Sequence, residues 1–202
     1  MKIKIYIFVF LFLALFIAPK AHADSTSARE YQVKAAFLYN FIMFVDWPDE
    51  KMPAANEPII IGIIGKDPFG NAFDPVKDKQ AKDRKVVVKR FKGFEDLKKS
   101  GEAEFNKQIE AVKKCHLLFI CPSEEKVVRD ITNLVKDNNI LIVGDMPKFL
   151  ELGGGIVNFV LEEQKVRFEV DTNAAKQAGL KIRSQLLRLA TRVVGASQEA
   201  KE

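Results

Sequence analysis

Four runs of consecutive apolar residues recur along the chain, separated by charged stretches that favour helices. The runs are Ile59–Ile64 (IIIGII), Val86–Val88 (VVV), Leu117–Ile120 (LLFI) and Ile140–Val143 (ILIV). A strand that is apolar at every position needs cover on both faces, as strands have in a parallel sheet flanked by helices. The pattern therefore predicts an α/β fold: a three-layer sandwich with a mostly parallel central sheet and helices on both faces.

The segments beside these strands have helical features. Ala28–Val45 carries apolar residues at helical spacing, and Phe94–Lys113 is charged and rich in helix-forming residues. Ser123 can cap a helix that runs to Asp137, because a serine oxygen accepts the free amide hydrogens of a first turn. The apolar face of Ala28–Val45 is wide, which favours a core position, and the edge of that face is a candidate partner surface.

The C-terminal part has a different pattern. Ile156–Leu161 and Val166–Val170 flank four polar residues, which predicts an antiparallel hairpin. Asn173–Ala178 is predicted as a short helix and Gln185–Val194 as a final helix. The sequence contains no internal repeat and no low-complexity linker, so a single domain is expected.

The N-terminus has the features of a secretory signal peptide. Ile5–Ala18 is an unbroken run of 14 apolar residues, followed by Pro19 and the small-residue triplet Ala21–Ala23. Cleavage after Ala23 is expected, which leaves an exported domain of residues 24–202. An uncleaved anchor is the alternative, but the run falls short of the ~20 residues that a membrane-spanning helix needs.

The net charge argues against a nucleic-acid partner. The whole chain has 32 basic and 27 acidic residues and a formal charge of +5. Loss of Lys2, Lys4 and Lys20 with the signal peptide leaves 29 basic residues against 27 acidic ones, a charge of +2. Because acidic residues alternate with basic ones along most segments, no broad basic stripe is expected for a phosphate backbone.

Two cysteines, Cys115 and Cys121, lie in the run CHLLFIC. An exported protein meets an oxidising environment, which favours disulfides. Along one straight strand, however, the two sulfur atoms would be roughly 20 Å apart, far beyond disulfide distance. Two buried free thiols are therefore expected, and an intermolecular disulfide is the alternative.

Two glycine-rich segments are candidate phosphate sites. Gly65–Gly70 (GKDPFG) follows a predicted strand, but a P-loop needs Lys and then Ser or Thr after its second glycine, where this chain has Asn71 and Ala72. The segment is interpreted as a turn, with anion binding by its backbone amides left open. Gly153–Gly155 precede a strand and not a helix, so they are expected to turn the chain into the hairpin.

His116 is the single histidine that remains after processing, so a multi-histidine metal site is excluded and a structural role is expected. Asp145 comes just after a strand, where open α/β sheets bind ligands, but it could equally cap a turn. Together these two residues would be the best candidates for an exported hydrolase, which is the least favoured function.

Arg167 and Glu169 alternate with Phe168 and Val170, so the two charged side chains share one face of the hairpin. An exposed charge pair is one interpretation, and a guanidinium offered to a ligand is the other. The chain shows no nucleophile with a base, no facing carboxylate pair and no metal-ligand spacing. The residues alone therefore predict an exported binding domain with no catalytic residues, no metal and no cofactor.

Several segments together resemble the YfiR-like family of exported regulators. They are Phe37–Phe41 with Trp47 and Pro48, Gly65–Gly70, His116–Ile120, Gly153–Phe159, Arg167–Val170 and Gly179–Ile182. The resemblance runs from about Tyr31 to Val194. It implies a periplasmic α/β regulator that restrains an inner-membrane diguanylate cyclase, or a sensor kinase, by binding its periplasmic domain. A periplasmic small-ligand sensor module is the alternative function.

The resemblance also implies partners and site residues. An outer-membrane OmpA-like lipoprotein would sequester the regulator, a homodimer is compatible with it, and no enzyme activity is implied. Arg167 matches a position that presents a basic side chain near a small-molecule pocket, with Glu169 beside it, and Asp145 is a further ligand candidate. The candidates for the partner interface are Leu180, Ile182 and Leu187.

The chain departs from the family pattern in its cysteines. Family members can carry two intramolecular disulfides, and Cys115 matches one of those positions. Cys121 is the only other cysteine, so the disulfide framework is missing and stability is expected to come from the core.

Overall fold

The computed structural model describes residues 21–54, 56–76 and 79–195. The apolar run that is predicted as the core of a signal peptide, Ile5–Ala18, lies outside the described residues, so cleavage after Ala23 stays a prediction. Within the described ranges, no helix is both long and apolar enough to cross a membrane.

Helices and strands alternate along most of the chain. The helices are α1 (Ala21–Phe44), α2 (Phe94–Lys99), α3 (Glu102–Lys113), α4 (Val128–Val135), α5 (Thr172–Gln177) and α6 (Ser184–Leu187). Short 3-10 helices cover Asp74–Val76 and Pro122–Val127. The strands are β1 (Val45–Asp46), β2 (Ile59–Ile64), β3 (Gln80–Ala81), β4 (Arg84–Phe91), β5 (Leu117–Ile120), β6 (Leu141–Gly144), β7 (Val157–Glu162), β8 (Lys165–Asp171), β9 (Lys181–Ile182) and β10 (Arg192–Val194).

The central sheet has the strand order β10-β8-β7-β6-β5-β2-β4-β3. Its middle strands, from β7 to β4, run parallel to one another. β8 returns antiparallel to β7 as the second strand of the hairpin, and β3 is antiparallel to β4. β1 and β9 form a separate antiparallel pair. The predicted α/β sandwich, with its mostly parallel sheet and C-terminal hairpin, is confirmed.

An apolar layer covers each face of the sheet. On one face α1 packs through Leu38 and Phe41 against sheet residues such as Phe119 and Phe159. On the other face α2, α3 and α4 pack against the alternate side chains of the same strands, among them Leu118. This is why the central strands are apolar at every position, as the sequence pattern indicates.

The predicted final helix is wrong over most of its length. Only Ser184–Leu187 is helical, and Arg192–Val194 forms β10 beside β8. The edge of β8 that faces away from β7 pairs with this segment, and the Thr191 N–H, just before β10, also donates to the Phe168 carbonyl at 2.9 Å. Hydrogen bonds to that edge outweigh the local helix preference of this segment.

Ser123 does not cap a helix. Its Oγ accepts a hydrogen bond from the Lys66 amide at 2.9 Å and donates to Glu124 Oε1 at 2.9 Å. The buried Glu124 carboxylate instead accepts from the amide of Phe94, at the start of α2. The Phe69 amide donates to Asp67 at 2.7 Å and the Gly65 amide donates to the Phe91 carbonyl at 3.3 Å. Three amides of the Gly65–Gly70 segment therefore already have partners, and the segment is a turn.

The three consecutive glycines turn the chain into β7, as predicted. Gly153 and Gly154 have φ of 101° and 90°, in the left-handed region that favours glycine. Gly155 has an ordinary backbone, but a Cβ there would lie 2.5 Å from the ring of Phe149. No helix follows these glycines, so they form no phosphate cradle at a helix start.

Candidate functional site

A buried lysine organises the carboxyl end of the sheet. The side chain of Lys34, on α1, is 1% exposed. Its Nζ donates to Asp145 Oδ2 at 2.6 Å and also to Glu30 Oε1. The Tyr31 hydroxyl donates to the same Asp145 oxygen at 2.9 Å, and the Lys34 ammonium lies 4.5 Å from the centre of the Tyr31 ring. Two carboxylates and an aromatic face thus stabilise one buried charge.

Helix and strand geometry bring these groups together. Glu30 and Lys34 are four residues apart, so they lie on the same side of α1. Asp145 directly follows β6, at the end of the parallel strands where open α/β sheets bind ligands. Burial and the Asp145 carboxylate raise the pKa of Tyr31, which keeps the hydroxyl protonated as a donor.

A cavity of about 520 Å³ opens beside Asp145. One of its walls is an ion network: Arg192 binds both carboxylate oxygens of Glu169 at 2.8 Å, and its Nη2 also donates to Glu151 at 3.0 Å. These contacts raise the pKa of Arg192 above its already high value. Arg192 therefore keeps its positive charge at any physiological pH.

The most buried polar residue that lines the cavity is Asn158, which is 2% exposed. Its Oδ1 accepts from the Met146 amide at 3.3 Å, and its Nδ2 has no hydrogen-bond partner among the described residues. Because no fully buried side-chain polar atom in those ranges lacks a partner, Nδ2 is not completely buried, and Asn158 lines the cavity. A ligand oxygen could accept this hydrogen bond.

The structure brings together two of the three predicted ligand residues. Asp145 and Glu169 line the cavity, whereas Arg167 does not. Arg167 is exposed on β8, opposite Val160 of β7, and its guanidinium makes no hydrogen bond or ion pair within the part of the chain described. It shares a face with Glu169 as the alternation predicts, but Glu169 pairs with Arg192 instead.

His116 is a structural residue, as predicted. It is buried, its Nδ1 accepts from the Ile60 amide at 3.1 Å, and its Nε2 lies 3.2 Å from the Lys51 carbonyl, to which it can donate in the neutral form. Burial lowers the pKa of His116 to about 4. It precedes β5 whereas Asp145 follows the parallel β6, so the two lie at opposite ends of the sheet and cannot act as a hydrolytic pair.

Both cysteines are buried free thiols, which confirms that prediction. Burial raises the pKa of Cys115 to about 12. The pKa of Cys121 is also raised, by burial and by the nearby carboxylates of Asp67 and Glu124. Within the described ranges, no cluster of three or more histidine, cysteine or carboxylate side chains could hold a metal ion.

The predicted interface residues differ in exposure. Leu180 is only 5% exposed and belongs to the core on the α1 face, so it is not available to a partner in this fold. Ile182 and Leu187 are half-buried against the same core. Leu189, just after α6, is 61% exposed.

Two exposed apolar side chains lie toward the same end of the molecule. Val33 on α1 is 41% exposed, and Leu161 on β7 is 55% exposed. Lys34 fixes this part of α1 to the carboxyl end of β6. Since β7 is parallel to β6, Leu161 near the end of β7 lies toward that same end.

Phe37 connects these exposed residues to the core. It is half-buried, one helical turn after Val33, and its ring centre lies 6.1 Å from that of Phe159, which shares a sheet face with Leu161. Val166 pairs directly with Leu161 across the hairpin. We define Val33, Phe37, Leu161 and Val166 as the α1–hairpin patch.

Sequence reasoning missed Lys34 and the role of Arg192. A signal for Lys34 was present: it lies four residues before Leu38 and seven before Phe41, on the apolar side of the helix. A lysine on that side needs a buried carboxylate, but its partner lies 111 residues away, at Asp145. The sequence pattern predicts a helix at Arg192, and that prediction does not anticipate its pairing with Glu169 across neighbouring strands.

The fold and this end of the sheet define an α/β domain with a cavity at the carboxyl end of its parallel strands. The chain belongs to the YfiR/HmsC-like family (DUF4154), whose match covers residues 31–191. Membership of this family supports a periplasmic regulatory role. Among curated proteins, no sequence matches the chain.

Solved structures share the fold at low sequence identity. A conserved domain protein from Vibrio cholerae O1 biovar eltor has a TM-score of 0.52 at 12% identity, over 81% of this chain and 60% of that one. The ABC domain from Streptococcus pneumonia, solved with L-Trp, has a TM-score of 0.51 at 10% identity, over 82% and 60%. This chain spans only about 60% of each of those chains, and the likeness concerns the fold alone.

Proposed function

We propose that this chain is a periplasmic regulator that restrains a membrane-bound signalling protein, a diguanylate cyclase or a sensor kinase, by binding its periplasmic domain. Family membership supports the regulatory class. The observation that carries the docking proposal is the α1–hairpin patch, where Val33 and Leu161 are 41% and 55% exposed. Exposed apolar side chains grouped on one surface are typical of protein interaction sites.

The patch has the composition of an interface centre. Its side chains are apolar, and the partly buried ring of Phe37 gives it an aromatic anchor. The Lys34–Asp145 pair holds the underlying helix in place, so the patch is largely formed before binding. Ile182 pairs with Val45, just after the end of α1 that is opposite Val33, so it does not adjoin the patch.

Release requires a competitor that binds the free regulator. We propose that this competitor is an OmpA-like lipoprotein of the outer membrane. While it is bound to the regulator, a smaller fraction of the regulator is free to restrain the signalling protein. A second copy of this chain on the patch would have the same effect. Both occupants would be detected as distinct products in a crosslinking experiment.

The test uses the Val33→Asp and Leu161→Asp double variant, which places two charges on the patch. Loss of binding to the signalling protein is expected, with a rise of cyclic di-GMP or kinase output in the cell. The matched control is Ala103→Asp, an exposed position on α3, on the opposite face of the sheet. Equal repression by the two variants would contradict the docking proposal.

A small-ligand sensor is the second candidate function, and the cavity of about 520 Å³ beside Asp145 favours it. The Nδ2 of Asn158 and the fixed charges of Arg192 and Glu169 would orient a ligand. A thermal-shift screen of amino acids and nucleotides tests this role. The affinity of a true ligand should fall at least about tenfold in the Glu169→Gln variant. Arg167 lies outside the cavity, and the Arg167→Ala variant tests whether its exposed guanidinium contributes to ligand affinity.

A further inference from the structure

The outer edge of β4 is largely unpaired. Along Val86–Phe91, β4 pairs with β2 on its inner side. On its outer side β3 reaches only Arg84 and Lys85. In the ranges that the structure describes, no other strand or loop backbone pairs with the outer side of Val88 or Arg90.

The backbone direction along this edge follows from one hydrogen bond. The Gly65 amide donates to the Phe91 carbonyl at 3.3 Å, so the backbone polar groups of Phe91 face β2. Because these groups alternate in direction along a strand, the N–H and C=O groups of Val88 and Arg90 face outward. Unpaired outward groups of this kind are a template for an added strand.

A groove of about 670 Å³ follows the same edge. Its apolar walls are Phe73 and Val76 on the loop side, with Val86 and Val88 on the strand side. Val87 is also among the residues at the groove, but strand alternation turns its side chain, 37% exposed, toward the other face of β4. An added strand would therefore place every second side chain in the groove and the remaining ones beside Val87.

The segment around the groove is strongly basic. Residues 79–92 contain seven lysine or arginine residues and one acidic residue, Asp83, which departs from the alternation of charge elsewhere in the chain. Arg90 pairs with Asp67 at 2.6 Å. Lys85 and Lys89 are exposed on β4 and make no ion pair within the described residues. Asp74 also lines the groove and makes no ion pair among the described residues. The excess positive charge therefore lies on the face of β4 that carries Lys85, Val87 and Lys89, beside the open edge, and not in the groove.

These charges select the occupant. Strand pairing with the same edge of a second copy would bring like charges together, which is destabilising and is how lysines on edge strands prevent self-association. An acidic strand has the complementary charge. We propose that the edge of β4 binds an extended acidic segment of a partner protein by adding it as a strand. This surface is remote from the α1–hairpin patch in the strand order and does not depend on the proposed function.

The direct test is titration of the exported chain into a fluorescein-labelled decapeptide of alternating glutamate and valine. Saturable binding is expected, at least about tenfold tighter than for the corresponding lysine–valine peptide. Hydrogen exchange should slow at the amides of Val88 and Arg90 when the acidic peptide binds. A peptide that is N-methylated at alternate residues on its pairing edge should bind at least about tenfold more weakly, because it lacks the donors of a strand ladder.

Two variants separate the charge from the backbone contribution. Lys85→Glu with Lys89→Glu should weaken binding at least about tenfold, while Lys126→Glu, an exposed charge change elsewhere, should leave it unchanged. Val88→Pro removes an outward N–H and none of the hydrogen bonds to β2, so binding should weaken while the circular dichroism spectrum is retained.

Several results would overturn strand addition. One is the absence of saturable binding of the acidic peptide up to about 1 mM. Another is binding that is insensitive both to Val88→Pro and to N-methylation, which would show a general anion surface. Strand addition would also be overturned if inorganic polyphosphate or anionic vesicles displaced the labelled peptide as well as the unlabelled acidic peptide does, while amide exchange at Val88 did not slow.

Discussion

Lys34 Nζ lies 2.6 Å from Asp145 Oδ2 and joins α1 to the carboxyl end of β6. Asp145 also lines the cavity, whereas Lys34 directly follows Val33 of the α1–hairpin patch. One ion pair thus connects the candidate ligand cavity with the candidate partner surface. A ligand that bound Asp145 would act on the position of α1 through this contact.

Lys34→Met should destabilise the protein by about 3 kcal/mol, because it leaves the Asp145 and Glu30 carboxylates without their shared cation. The measurement is equilibrium urea unfolding at neutral pH. Asp145→Asn should lower the free energy of unfolding less in the Lys34→Met background than in the wild type, since the Lys34–Asp145 ion pair is already lost. The control is Lys126→Met, an exposed lysine that should change stability by less than about 0.5 kcal/mol. Equal costs for the two lysines would refute the buried pair.

His116 should make stability depend on pH. Its pKa is lowered from the usual 6.5 to about 4 in the folded state, chiefly by burial. Between these two pH values the unfolded chain binds a proton at His116 that the folded chain does not bind. Stability therefore falls as the pH drops from 6.5 to 4, and above 6.5 His116 causes no such destabilisation. His116→Asn keeps an acceptor for the Ile60 amide but cannot titrate. The difference in unfolding free energy between wild type and variant should change across this window and be flat above it.

Gly155→Ala should destabilise the domain by about 2 kcal/mol through overpacking, because the new Cβ would lie 2.5 Å from the Phe149 ring. Thermal or urea unfolding measures the loss. Phe149→Leu introduces a smaller side chain, and its combination with Gly155→Ala should cost less than the sum of the single changes. Strict additivity of the two substitutions would show that the ring is not the obstacle.

Neither cysteine should react with iodoacetamide in the folded protein at neutral pH. Both are buried, and the pKa of Cys115 is raised to about 12, so almost no thiolate is present. Mass spectrometry should show two modified thiols only after unfolding in urea. Rapid labelling of either residue under native conditions would contradict this burial, and a disulfide-linked dimer would support the alternative bridge.

The central architecture could be predicted because it is encoded locally. Continuous apolar runs at Ile59–Ile64 and Leu117–Ile120 have one physical explanation, burial on both faces of a sheet. The turn at Gly153–Gly155 was also predictable, since glycine tolerates its backbone angles. The open edge of β4 could not be predicted, because the order of strands in a sheet depends on pairing between segments that are distant in sequence.

The candidate site was only partly accessible from sequence. Asp145 and Glu169 were identified from their places next to or along predicted strands, but Lys34 binds a carboxylate that is distant in sequence. The error at Arg192 has a similar cause. Its segment has helical spacing, yet the free edge of β8 provides backbone hydrogen bonds and the Glu169 carboxylate, which only the folded sheet supplies.

The most direct test of regulation by docking is photocrosslinking in the native periplasm, with a photoreactive amino acid at Val33 and, in a separate strain, at the control position Ala103. Mass spectrometry identifies the captured chains. We expect capture of an inner-membrane diguanylate cyclase or sensor kinase from Val33, and no such capture from Ala103. Capture of self alone, or the same chains from both positions, would contradict the proposal that the α1–hairpin patch restrains a membrane signalling protein.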